Sequence, residues 1–391
     1  RYARRIWLEH FTALWKRLSF SSKMIARNAA RNAFRAMLNI MGVMVATGIL
    51  IMGFFTLDSL DYMLKFQFRE VQREDMRTSF PIERGKAAYH EACRFDHVRY
   101  AEPMLQYPVE LRAGWRKREV VTEGLPRNAQ LRRLLDYKGN VVDIGEGGLI
   151  LSDKLAECLH VQPGDEVMLK PLMGKVTREQ RVRVSKTVRQ YLGMSAYMNI
   201  ECLSRLLEEP FAMNAALMRV DAGQERSLNT QLKDVPGISS VEIKKDSLIA
   251  LMQTFVKSMV TTNTILVLFA GAIACSLIYN LTTVSLAERQ RELASLRVLG
   301  FSSEEVGQIV YRENFLLGGI GLLLGIPFGM AVCLWLVHLY DTELYRLPYR
   351  IEPRTVFISC ILIALFIAVS NFLVRRKINA LDVIEALKAR E

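Results

Sequence analysis

The sequence predicts a membrane α-helical protein. Four transmembrane helices are arranged one plus three, with an α+β extracytoplasmic domain inserted after the first. Three observations carry that reading. Four apolar runs, at 37–57, 260–284, 315–339 and 356–374, contain no Lys, Arg, Asp or Glu. Each is near the ~20 residues a helix needs to cross the hydrocarbon core. A polar stretch at 58–259 separates the first run from the other three and mixes strand-like and helix-like patterns. Basic residues crowd the two ends of the chain, which fixes an orientation.

Residues 1–36 form a basic leader. Arg1, Arg4, Arg5, Lys16, Arg17, Lys23, Arg27, Arg31 and Arg35 stand there against the single acid Glu9. Phe11, Leu14, Trp15 and Leu18 follow helical spacing, so the leader reads as an amphipathic helix lying in the membrane interface. The Ser19–Ser22 segment breaks that pattern and offers a cap for the next helix. Arg375, Arg376 and Lys377 open the tail at 375–391. Lys and Arg concentrate on the cytoplasmic side of membrane proteins, so both termini are expected there. The 58–259 segment then faces outward and the 285–314 segment inward. A short external loop, 340–355, joins the last two spans. These flanks account for part of the net charge of +12, so that charge does not signal nucleic-acid binding.

Within 58–259 the strands are read from alternation and turns. "REVVTEGL", "AALMRVDA" and "REQRVRVSKTV" have strand character, and Pro163-Gly164 forms a type II turn feeding "DEVMLK". Ser152 is placed to cap a helix over "DKLAECL", and "NIECLSRLLEE" has helical periodicity. From Asp246 the pattern is helical into the second span and reads as a stalk.

Chemistry was sought in the same stretch. His90, Cys93, Asp96 and His97 lie near one another in sequence, but their spacing matches no common metal or catalytic site, and a solvated surface is the favoured reading. There is no G-x-S-x-G elbow, no H-E-x-x-H and no G-x-x-x-x-G-K-[ST] phosphate loop in the chain. The six cysteines show no short paired spacing. No catalytic, cofactor or metal residue is therefore nominated, and the chain is read as non-enzymatic.

The inward segment at 285–314 parses as two helices. Gly300 ends the first, and Ser302 with Glu305 makes a capping box for the second. Leu296, Val298, Leu299 and Phe301 place apolar side chains at a tip with no lipid to cover it. An apolar tip ringed by charge suits the groove of a partner protein. In the third span Gly321, Gly325 and Gly329 recur every fourth residue, a ridge suited to close helix packing. Pro327 lies within it. The spans hold no ionisable residue except His338, where a charged transport path would require intramembrane acids or bases.

These residues carry a resemblance. "ERQRELASLRVLGFSSEEV" resembles the E-R-x-R-E-[IL]-x-x-L-R-x-L-G motif of the FtsX/MacB/Lol-type ABC transporter permeases. "RRKINALDVIEALK" resembles the closing motif of that family, with Val383 where many members have Pro. "GGLILSDKLAECLHVQPGDEV" resembles a segment of the family's outer domain. The resemblance implies a permease subunit that couples ATP hydrolysis by a separate ATP-binding subunit to movement of the outer domain. The movement would export or extract a lipid, lipoprotein, peptide or drug. The alternative is a non-transporting regulator of an extracytoplasmic partner such as a wall hydrolase or sensor.

It further implies that Glu288, Arg289, Arg291, Glu292, Leu296, Arg297, Leu299 and Gly300 dock on the ATPase. Asp382, Glu385 and Leu387 would add a second contact. The expected partners are an ATP-binding subunit dimer, which holds ATP and Mg, a second permease module (in the same chain, a paralogue or a copy), membrane lipid and, on the regulatory reading, an extracytoplasmic protein. The expected location is the bacterial inner membrane. The basic leader, with Arg rather than Met at position 1, suggests the second module of a longer permease.

Overall fold

The computed structural model describes residues 27, 30, 33–174, 176–253, 257–288 and 303–379. The chain divides into two compact units. The first holds the membrane helices, and the second comprises Ser59–Lys257 together with Val337–Pro348.

Among the described residues four helices are long and apolar enough to cross a membrane: α1 (Ala33–Lys65), α7 (Lys257–Glu288), α8 (Ser303–Leu339) and α9 (Pro353–Asn379). They extend beyond the apolar runs because polar turns at each end continue the helical hydrogen bonding that the hydrocarbon core enforces. α1 ends in a π-helical turn over Phe66–Val71. Val43, Ala46 and Leu50 of α1, Ala270, Ala274 and Ile278 of α7, and Ile363 and Ile367 of α9 form one buried cluster. Ala46, Ala270 and Ala274 are small members of this cluster, as expected where lipid is as apolar as Leu and close packing supplies the attraction. The carboxylate of Asp58 accepts from the Glu352 backbone N–H at 3.0 Å and from the Thr355 hydroxyl at 2.6 Å. It thereby caps α9, with its negative charge at the positive end of the helix.

The second unit is built on nine strands: β1 (Met76–Arg84), β2 (Val98–Ala113), β3 (Arg116–Leu125), β4 (Leu149–Ser152), β5 (Glu166–Pro171), β6 (Gln180–Val188), β7 (Ser195–Asn199), β8 (Met213–Val220) and β9 (Ser240–Ile243). Among the described residues five helices lie among the strands or follow them: α2 (Lys86–Ala92), α3 (Asp153–Leu159), α4 (Ile200–Leu206), α5 (Glu225–Lys233) and α6 (Lys244–Leu251).

β2 organises the sheet. Its first half pairs with β8, and β8–β1–β9 continue an antiparallel sheet from there. Its second half pairs with both β3 and β5. From β3 the pairing runs through β7, β4 and β6 to β5 and so returns to β2. Six strands therefore close on themselves, which removes their free edges. Leu105, Val109 and Leu111 of β2 are fully buried with Leu149, Leu151, Leu169 and Val184, the alternate positions that "REVV"-type patterning directs inward. Leu228 and Leu232 of α5 cover the open sheet against Met76, Met218 and Ile243.

Local chemistry follows the sequence in several places. Gly164 has φ +110°, as the Pro163-Gly164 turn into β5 requires. Asn199 caps α4, its side chain accepting from Glu201 N and Cys202 N. Ser152 occupies the N-cap position of α3, but its hydroxyl makes no cap bond; it accepts instead from Ser195 N at 3.2 Å. The stalk reads as α6, ending at Leu251, and then α7 from Lys257; residues 254–256 lie outside the described residues.

One buried ion cluster sits inside this unit. Arg132, 4% exposed, lies 3.5 Å from Glu74 and 3.4 Å from Glu123. Burial raises the Glu74 carboxyl above its ordinary range, outweighing the opposing attraction of Arg132.

Candidate functional site

The residues expected to dock on the ATPase fall in the 285–314 segment and the tail. Glu288 is the last residue of α7. Arg289, Arg291, Glu292, Leu296, Arg297, Leu299 and Gly300 lie outside the described residues, as do Asp382, Glu385 and Leu387. α8 begins at Ser303, directly after the position assigned to the capping Ser302.

The glycine ridge is among the described residues and faces α1. A Cβ at Gly321 would lie 2.8 Å from the Ile40 carbonyl oxygen and 2.8 Å from Val43 Cβ. At Gly325 it would lie 2.5 Å from Thr47 Cβ, and at Gly329 3.1 Å from Ile51 Cβ. Helix backbones approach this closely only where side chains are missing. The ridge therefore joins α8 to α1 within the bundle.

The structure also brings together residues that charge-based reading overlooks. Asn314 of α8 donates through Nδ2 to Thr282 Oγ1 of α7 at 3.0 Å and to Asn371 Oδ1 of α9 at 2.8 Å. The Thr282 hydroxyl donates to the Ile278 carbonyl at 2.6 Å. All three side chains are buried. Interhelical bonds of this kind contribute on average about 0.6 kcal/mol each in a membrane. Thr282 lies near the end of α7 and Asn314 in the first third of α8, so the cluster flanks the segment between the two helices on both sides. Its sequence signal was uncharged amides within or beside otherwise apolar runs, a signal that a search for ionisable groups passes over.

In the second unit a cavity of ~680 Å³ opens between α2 and α4. Lys86, Tyr89 and His90 line it from α2, with Arg127, Arg205 and Phe211 opposite. His90 thus faces this cavity, whereas His97 (φ +69°) lies 3.7 Å from Asp221. Hydrogen bonding from Arg99 holds the Asp221 carboxyl below the usual range. Among the described residues no group of three or more His, Cys, Asp and Glu is placed to hold a metal ion.

Comparison with known proteins adds to this geometry. Residues 264–383 match the family model of the FtsX-like permease C-terminal domain. The matched residues include most of α7, the segment between α7 and α8, α8, α9 and the start of the tail. No curated protein matches the chain. Among solved structures, the periplasmic region of MacB from Actinobacillus actinomycetemcomitans is similar at 11% identity and a TM-score of 0.35, covering 49% of this chain and 97% of that one. The extracellular domain of the ABC-type transporter YknZ from Gram-positive bacteria is similar at 15% identity and a TM-score of 0.31, covering 43% of this chain and 97% of that one.

Proposed function

We propose that this chain is the permease subunit of an ABC transporter complex. A separate ATP-binding subunit dimer, holding ATP and Mg, docks on the inward segment, and its closure is passed through the helices to the outer unit. The match of residues 264–383 to the FtsX-like permease C-terminal domain carries this reading, because that region includes the charged segment between α7 and α8. Glu288, Arg289, Arg291, Glu292, Leu296, Arg297, Leu299 and Gly300 form the first docking surface, and Asp382, Glu385 and Leu387 the second. The chain works beside a second permease module in the bacterial inner membrane, with both termini in the cytoplasm.

Mechanical transmission suits the apolar runs, which hold no Lys, Arg, Asp or Glu and, of the histidines, His338 alone. A ligand dragged through the bundle as an ion would need charged partners there. The cargo is then a lipid, lipoprotein, peptide or drug engaged at the outer unit. If the outer partner is a protein that is switched rather than moved, the same machinery serves as a regulator, and binding by the outer unit separates the two.

The test is ATP hydrolysis by the co-purified ATP-binding subunit with the full chain in lipid nanodiscs. The Glu292→Ala/Leu296→Asp variant is expected to lose the complex, or at least ~10-fold of its coupled hydrolysis, equivalent to ~1.4 kcal/mol. Unchanged assembly and turnover would make the segment a plain connector.

A further inference from the structure

The sequence treats 340–355 as a short loop between two spans, yet Val337–Pro348 belongs to the second unit. The contacts explain why. Arg346 Nη1 lies 3.0 Å from Asp153 Oδ2, and its Nη2 lies 2.8 Å from Glu157 Oε1 and 3.3 Å from Asp341 Oδ2. Lys154 Nζ lies 3.0 Å from Asp341 Oδ1. Asp153 and Glu157 stand on successive turns of α3, and the Asp153 side chain is only 3% exposed. A carboxylate buried that far needs a fixed counter-charge. Arg346 supplies it from a segment distant in sequence, using the planar fork that suits carboxylates.

The backbone joins as well. Gly193 N donates to Leu344 O at 2.8 Å, and Arg346 N donates to Tyr191 O at 2.9 Å. Leu192 and Tyr345 face each other as the pair between these bonds. Arg118 of β3 adds a contact to Glu343 at 3.0 Å. Tyr191 also meets the outer end of α1. Its ring packs edge-on to Tyr62 at 5.9 Å and to Phe66 at 5.0 Å. Ser59 donates to the Pro348 carbonyl at 2.9 Å. Two chain segments that continue from membrane helices therefore meet at one place, the 191–193 connection between β6 and β7.

We infer that the Arg346–Asp153–Glu157–Asp341 clasp is an external coupling site, at which the connection between α8 and α9 is held to α3 and to the Tyr191–Leu192–Gly193 connection within the second unit. The inference rests on the proposed function and names where its outward stroke is received. α8 runs from Ser303, beside the inward segment, to Leu339, beside the clasp. A helix of 37 residues at ~1.5 Å per residue is a rod of ~55 Å. α8 continues to Leu339, two residues before Asp341, so the clasp is joined directly to the end of that helix. The clasp is built of charge-assisted bonds at a partly exposed site, so it transmits force along the loop while remaining a discrete, removable link.

The test uses the full chain with its co-purified ATP-binding subunit in nanodiscs. Hydrogen exchange of residues 189–199 is compared between the nucleotide-free and the vanadate-trapped complex. Wild type is expected to show a nucleotide-dependent difference. Arg346→Ala is expected to lose most of it, roughly fivefold, with ATP hydrolysis within about twofold of wild type and the core of β6 equally protected. Arg346→Lys should restore part of it.

Leu192 and Tyr345 form a non-hydrogen-bonded antiparallel pair, whose spacing of about 4.5 Å between Cα atoms accepts a disulfide. Adding Leu192→Cys/Tyr345→Cys to Arg346→Ala should therefore restore the difference under oxidation and lose it again on reduction. Rescue by an unrelated covalent link is not expected if Arg346 only stabilises the fold. A full difference in Arg346→Ala, or no rescue by the oxidised pair, overturns the clasp and leaves the proposed function standing. Absence of any nucleotide-dependent difference in wild type overturns both.

Discussion

Arg132 is enclosed with two carboxylates, Glu74 and Glu123, and the three make only long contacts. Glu123 Oε2 and Arg132 Nε have no hydrogen-bond partner among the described residues, so the cluster is held by charge more than by directed bonds. Removing the central cation strands two buried anions. Arg132→Met is expected to destabilise the second unit by about 3–5 kcal/mol, read as thermal unfolding of the full chain in nanodiscs. The pH dependence has a definite sign. A carboxyl whose folded value is raised is stabilising while protonated, and that contribution is lost as pH rises from the unfolded value through the folded one. Glu74 is raised mainly by burial. Without Arg132 it rises further, so the Arg132→Met deficit should be larger at about pH 8 than at about pH 5. A deficit that is flat across that range would show that Glu74 is not buried as described. Nothing in the sequence marks Arg132; it stands in a run with Arg133 whose members differ only in which way the backbone turns them.

At the scale of elements, α8 shows how a periodic pattern becomes a contact. Gly321, Gly325 and Gly329 repeat at four-residue spacing, which puts them on one face, and that face meets Ile40, Val43, Thr47 and Ile51 of α1. Gly319 lies on the same helix but off the ridge, with nothing within 4 Å of a Cβ placed there. Gly325→Val is expected to lower the thermal stability of the bundle by about 1–3 kcal/mol through overpacking. Gly319→Ala should leave it unchanged or slightly raised, since Ala favours helix by about 1 kcal/mol over Gly. Equal loss in the two variants would show that the ridge has no privileged partner. The ridge was legible from spacing alone, but its partner was not. Four apolar helices offer several faces, and only packing shows which one receives the glycines. The Asn314 amide was likewise visible as a residue, while its bonds to Thr282 and Asn371 depend on three helices arriving together.

For the whole molecule, orientation is the property most open to direct measurement. Cys93 closes α2 in the second unit and is exposed. If basic flanks hold both termini in the cytoplasm, a membrane-impermeant maleimide should label Cys93 in intact spheroplasts, and Cys93→Ser should remove that label. Labelling that appears only after permeabilisation would place the second unit inside and reverse the assignment of the docking segment.

Four membrane-length helices, an inserted α+β unit, the strands around the Pro163-Gly164 turn and the four-residue spacing of the glycines can be read from the amino-acid order. Each rests on local composition or a short period, and the bilayer or the pleat enforces them residue by residue. The closure of β2 onto both β3 and β5, the burial of Arg132, the meeting of Thr282, Asn314 and Asn371, and the seating of Arg346 on α3 become visible only in the folded chain. These join residues far apart along the chain, and their energy comes from mutual burial and charge pairing. No local pattern announces such a pair, because each partner alone reads as an ordinary polar residue.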